Sequence, residues 1–165
     1  MQKLLQIHES LDRDTRELSA RQQPALNCRR GCADCCVDDL TIFEVEAQAI
    51  RERYGDLLRD GAPHPAGRCA FLDGDDGCRV YDARPYVCRT QGLPLRWLTE
   101  NEAGERVEYR DICPLNETTE SPITELDADL CWTLGPTEGQ LAELQATTGR
   151  PGKRVALRDL FDRSR

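Results

Sequence analysis

The sequence predicts an α+β fold, mainly helical with short hairpins, wrapped around a small, irregular, cysteine-rich core. Three observations predict it. Apolar residues recur at helical spacing over residues 2–21 and 41–58. Short apolar runs flank turns rich in Asp, Asn and Gly at 69–81 and 95–109. Nine cysteines stand in a chain of 165 residues in which Leu, Ile, Val and Phe number only 34, near the lower edge for a globular fold. A chain of this length has room for one core, and something besides apolar burial is expected to help hold its middle together.

Taken in order, Leu4, Leu5, Ile7, Leu11 and Leu18 make an apolar stripe, and Gln22, Gln23 and Pro24 end that first helix. Thr41-Ile42-Phe43-Glu44 has the form of a capping box and predicts a helix from there to about Leu58. Phe43, Val45, Ile50, Tyr54 and Leu57 form its buried side, and Gly61 and Pro63 stop it. Residues 69–81 predict a hairpin whose Asp73, Asp75 and Asp76 are turn residues. A calcium loop beginning at Asp73 fails, because Cys78 would take the glycine position and Arg84 the bidentate glutamate. Pro85 suits the first turn of a short helix that carries Cys88. A second hairpin is expected from 95–98 and 106–109 around Asn101 and Gly104. Helices are expected near 126–134 (with Cys131 and Trp132), 138–147 and from Arg154 to Asp162. The organisation read from this is an N-terminal helix over 1–25, a cysteine-cluster domain over 26–116, and a C-terminal helical extension over 117–165 packing on the same domain.

No signal-like apolar run begins the chain, and nothing approaches the roughly 20 apolar residues of a membrane span. The expected location is therefore a reducing cytoplasm with no membrane partner. There, clustered cysteines are more often metal ligands or redox groups than disulfides. Asn116-Glu117-Thr118 matches a glycosylation sequon, a match without meaning in a cytoplasmic chain. The net charge of −8 argues against a nucleic-acid partner. All of it is carried by residues 99–130, where ten acids face Arg106 and Arg110, a face that could dock a basic protein partner.

The chemistry lies in the thiols. Cys28, Cys32, Cys35 and Cys36 fall inside nine residues. A helix would place all four on one face, and a loop turned at Gly31 would crowd them equally. Thiols so arranged oxidise to disulfides or give up their protons to a soft metal. Adjacent Cys35 and Cys36 rarely share one tetrahedral ion, because neighbouring side chains diverge. Two centres or one polynuclear cluster are then expected. Cys28, Cys32, Cys35, Cys36, Cys69, Cys78, Cys88 and Cys113 supply eight ligands, enough for two four-thiolate sites of zinc or iron, including a four-iron, four-sulfur cluster. Cys131 beside Trp132 is the candidate packing cysteine. His64, in the loop at 61–68, is the lesser ligand candidate beside its more ordinary role as a solvated histidine. Such a centre carries a net charge of about −2, which Arg29, Arg30, Arg79, Arg84 and Arg89 are placed to offset. Cys28, Cys32 and Cys35 also have the spacing of radical S-adenosylmethionine enzymes, but no alternating strand–helix pattern of a barrel follows.

The run from Cys28 to Cys36 followed by residues 40–47 resembles the opening of the CxxCxxCC cysteine-cluster family, the YkgJ-type zinc- or iron-chelating domain. Cys69-Ala70-Phe71-Leu72-Asp73, Cys78-Arg79-Val80-Tyr81, Arg84-Pro85 with Cys88-Arg89, and Cys113-Pro114-Leu115-Asn116 resemble its later blocks in order. The likeness spans roughly 26–116, and the chain departs from it in the three-residue gap between Cys28 and Cys32. The resemblance implies a metal-binding domain. It also implies one alternative, an iron–sulfur enzyme such as a protein methyltransferase related to the flagellin lysine N-methylases; a further alternative, a metallochaperone or interaction module, would use the acidic 99–130 face.

Overall fold

The computed structural model describes residues 1–29, 31–117 and 122–161. Arg30, Thr118 and Asp162, named above, and Glu120, one of the ten acids of 99–130, lie outside the described residues. Helix α1 (Gln2–Ala20) buries Leu4, Ile7, Leu11 and Leu18 along one stripe, together with His8 and Thr15. It is followed by β1 (Thr41–Phe43), α2 (Glu44–Arg53), α3 (Gly55–Asp60), α4 (Tyr86–Thr90), β2 (Leu95–Glu100), β3 (Arg106–Asp111), β4 (Trp132–Thr133), α5 (Pro136–Ala146) and β5 (Arg154–Ala156). The class is mixed α+β. Among the described residues no helix is long and apolar enough to cross a membrane.

The expected helix over 41–58 is corrected at both ends. Residues 41–43 are extended because they pair antiparallel with β5, Ile42 opposite Val155. The capping contact shifts two residues along, where the Glu46 carboxylate accepts the Phe43 N–H at 3.3 Å. At Tyr54 the helix breaks before α3 begins. Two C-terminal expectations are corrected as well. Residues 126–134 hold a 3-10 turn at Ala128–Leu130 and then β4, which lies parallel to β2 with Leu95 opposite Trp132. Arg154–Ala156 is strand β5, and only Arg158–Phe161 winds, as a 3-10 turn. In both places a distant backbone edge supplies hydrogen bonds that a local helix would have made within itself. The second hairpin forms as expected, β2 and β3 pairing from Leu95–Asp111 to Glu100–Arg106.

Two apolar clusters hold the molecule. The larger collects Ile42, Ala47, Ile50, Leu72 and Val80 around Phe71, which stacks tilted on Phe161 at 4.9 Å. Each of these larger fully buried side chains contributes about 2 kcal/mol. Cys69 is inside this cluster, and Cys36, Cys78 and Cys88 pack against it. The smaller cluster seats α1 through Leu4, Ile7 and Leu11 on Phe43, Tyr86 and Leu141. Between them sits Glu46, only 2% exposed, taking the Tyr86 N–H at 2.6 Å and the His8 ring at 3.1 Å. Glu44 is also buried. Burial pushes its carboxyl up, but Lys153 and Arg51 overcome this and hold it below the usual range, with Arg150 Nη1 2.7 Å away.

Candidate metal centre

Among the described residues, Cys28, Arg29 and 31–36 form no helix; the run is turned at two places. Gly31 takes φ +83°, Cys32 N–H donates to Arg29 O at 3.0 Å, and Cys36 N–H donates to Ala33 O at 2.9 Å. Such tight turns give successive thiols different directions, and Cys35 and Cys36 end up serving two neighbourhoods.

The first neighbourhood is assembled by Asn116. Its Oδ1 accepts the Asn27 N–H at 2.7 Å, and its Nδ2 donates to Gly92 O at 2.7 Å and to Cys28 Sγ at 3.3 Å. Its own N–H closes the turn onto Cys113 O at 2.8 Å. One amide therefore ties together the segments carrying Cys28 and Cys113. Burial pushes the Cys28 thiol up, the Asn116 bond pulls it back, and charge on Cys35, Cys32 and Cys113 adds to the rise. Gly92, at φ +88°, lies so close that a Cβ there would overlap the Cys28 sulfur.

The second neighbourhood is built on the larger core. Cys69 N–H donates to Cys36 O at 2.9 Å, joining the loop to the 69–81 turn. Leu72 bridges Cys78 in that turn, whose tip is closed by Asp73 Oδ1 accepting from Asp75 and Gly77 at 2.9 and 2.7 Å. The three aspartates are turn residues, as predicted. Cys88 follows Pro85 on α4. Burial holds Cys88 far above the ordinary thiol range, reinforced by Cys69 and Cys78. Burial likewise raises Cys69 and Cys78.

The two neighbourhoods touch through Cys35 and Cys36. The Cys36 thiol donates to Cys35, which brings Cys35 down to about 7 and keeps the proton on Cys36, raised further by burial and by Cys35, Cys69 and Cys88. Among the described residues no three His, Cys, Asp or Glu side chains stand close enough together to hold a metal ion. The cysteines are all free; the thiols that act on Cys28 are Cys35, Cys32 and Cys113, and those that act on Cys36 are Cys35, Cys69 and Cys88.

The remaining candidates separate cleanly. Cys131 is 6% exposed, with Sγ 3.7 Å from Asp127 O and Arg110 and Arg96 as its cationic neighbours. It is buried as expected, though it lies between a 3-10 turn and β4 rather than within a helix. The His64 Nδ1 lies 3.2 Å from Pro65 O. Of the arginines, Arg84 draws down Cys35, Cys78 and Cys88, and Arg79 draws down Cys69. Arg89 instead turns inward to Asp12 and the Arg84 carbonyl. Sequence reasoning missed Asn116, Gly92 and Arg158. Arg158 grips Asp38 at 2.7 Å and the carbonyls of His64 and Arg68, beside Cys69. Only Asn116 had a signal, its place closing the Cys113 block.

A family model described as a "putative zinc- or iron-chelating domain", CxxCxxCC, matches residues 27–120. That is more than half of the chain, and the chain belongs to this family. No curated protein and no solved structure matches it.

Proposed function

We propose that this member of the CxxCxxCC family binds zinc or iron through eight thiolates at two centres. Cys28, Cys32, Cys35 and Cys113 hold one; Cys36, Cys69, Cys78 and Cys88 hold the other. What supports the reading is that the thiols acting on Cys28 are Cys35, Cys32 and Cys113, whereas Cys36 feels Cys69 and Cys88 besides Cys35, and Cys88 feels Cys69 and Cys78. Closing each set on an ion requires rotation of its thiols between staggered wells. All-sulfur donor sets suit zinc and iron–sulfur chemistry and disfavour magnesium or calcium. Arg79, Arg84 and Arg158 supply the positive charge that an anionic thiolate centre needs.

Bound metal would cross-link the segments that carry the thiols, adding folding free energy to the core. Residues 26–116 supply all eight ligands, with 1–25 and the described part of the C-terminal extension packed on them. Nine free thiols suit a reducing compartment, and the proposed location is the cytoplasm.

The test is elemental analysis with an absorbance spectrum on anaerobically purified protein. About two zinc ions per chain, or iron with matching sulfide, are expected. Cys113→Ala and Cys69→Ala should each remove one centre and leave the other. Wild-type protein without stoichiometric metal, or both variants keeping the full complement, would overturn the reading. Cavity space beside Cys35 and Cys113 favours a second reading, the iron–sulfur enzyme of the methyltransferase type. It requires S-adenosylmethionine binding, and a colourless zinc protein would remove it.

A further inference from the structure

A cavity of about 330 Å³ opens beside the first thiol set, with Cys35 and Cys113 in its wall. Leu93, Leu95 and Ile112 give it an apolar lining, and Val37 and Leu115, 48% and 47% exposed, continue that surface to the outside. Asp34 and Asp111 are both exposed, and they also line it. Among the described residues no Lys, Arg or His lines the cavity.

The surrounding acids are differently placed. Glu108 is tied to Arg96 and Arg110, Asp129 to Arg21, and Glu105 to Asn101. Glu108 and Asp129 are thus ion-paired to arginines; Asp111 accepts the Ile112 N–H at 2.9 Å, and with Asp34 it brings two carboxylates to the rim of an apolar slot. A slot of that kind matches a long side chain with an apolar stem and a cationic end.

We infer that this cavity receives the lysine or arginine side chain of a basic peptide, placing its cationic end at Asp34 and Asp111 beside the first thiol centre. The inference deepens the two-centre reading and rests on it for the presence of metal there. The peptide site itself is carried by the cavity, its lining and its charge.

The test uses the full-length protein as purified, titrated with the blocked pentapeptide Gly-Gly-Lys-Gly-Gly and its arginine and norleucine counterparts, and followed by the methyl resonances of Val37, Leu93 and Leu115. Both basic peptides should shift those methyls, and the norleucine peptide, which keeps the stem and loses the charge, should bind about tenfold more weakly. Asp34→Asn with Asp111→Asn should weaken the basic peptides to the norleucine level. Raising salt from about 50 to about 500 mM should do the same. Equal binding of lysine and norleucine peptides, an unaffected double variant, or shifts confined to other methyls would overturn the inference. Metal content is read on the same samples. A protein that binds the basic peptides but holds no stoichiometric metal refutes the two-centre reading alone, and a metal-loaded protein that does not bind them refutes this inference alone.

Discussion

Gly92→Ala is the sharpest single probe of the first thiol neighbourhood. At φ +88° an alanine costs about 1–2 kcal/mol from backbone strain alone. Its Cβ would also overlap the Cys28 sulfur, so that thiol must rotate away. Rotation gives up the Asn116 hydrogen bond, worth about 1 kcal/mol, and turns the sulfur from Cys32, Cys35 and Cys113. The total is about 2–3 kcal/mol of stability, together with loss of metal from the first centre only. The two contributions separate in a double-mutant cycle with Cys28→Ala, because removing the sulfur leaves the new Cβ nothing to strike. Gly92→Ala should then cost about 1–2 kcal/mol, the strain alone, in the Cys28→Ala background. Urea denaturation of the four proteins gives the coupling, and elemental analysis gives the metal per chain. If Gly92→Ala costs the same with and without the sulfur, the close approach is not what selects glycine there. If it leaves metal content unchanged, Cys28 is not a ligand.

Asn116→Ala should cost about 1–2 kcal/mol in the same denaturation assay, since it leaves the part-buried Gly92 carbonyl without its partner while water takes over the exposed Asn27 N–H, and should deplete the first centre while sparing the second. Glu44 makes a pH prediction. Its folded carboxyl titrates below the ordinary value of about 4.3, so its stabilising contribution is complete above that value and disappears as pH falls through the folded one. The urea midpoint of wild type should therefore drop more steeply on acidification than that of Glu44→Gln. Arg89→Ala should lower stability by about 2 kcal/mol by leaving Asp12 unpaired at the α1–α4 contact; Asp12 is 39% exposed, and this moderates the loss. Arg84→Ala should instead leave stability within about 0.5 kcal/mol and weaken metal affinity about tenfold in a chelator competition, because its charge faces the thiols.

Local order was legible wherever neighbouring residues carry it. The apolar stripe of α1 is a periodic signal, and Asn101 with Gly104 marks the β2–β3 turn as clearly as Asp73 with Gly77 marks the cysteine turn. The failures share one cause. Thr41-Ile42-Phe43 and Arg154-Val155-Ala156 are extended only because they meet each other across more than a hundred residues, and Trp132 is extended because it meets Pro94 and Leu95. A window along the chain contains neither partner, so propensity alone favours helix there.

The site divides in the same way. That the chain carries a cysteine cluster of the zinc- or iron-chelating kind follows from residue types and their spacing, because thiol chemistry is a property of the side chain itself. Which sulfur neighbours which is set by two long-range contacts, the Cys69 amide on the Cys36 carbonyl and the Asn116 side chain between Cys28 and Gly92, together with the local turn that closes on Cys113. Hydrogen bonds between segments so far apart exist only once the chain has folded, and for that reason only the tertiary structure gives Cys28 and Cys36 their different neighbours.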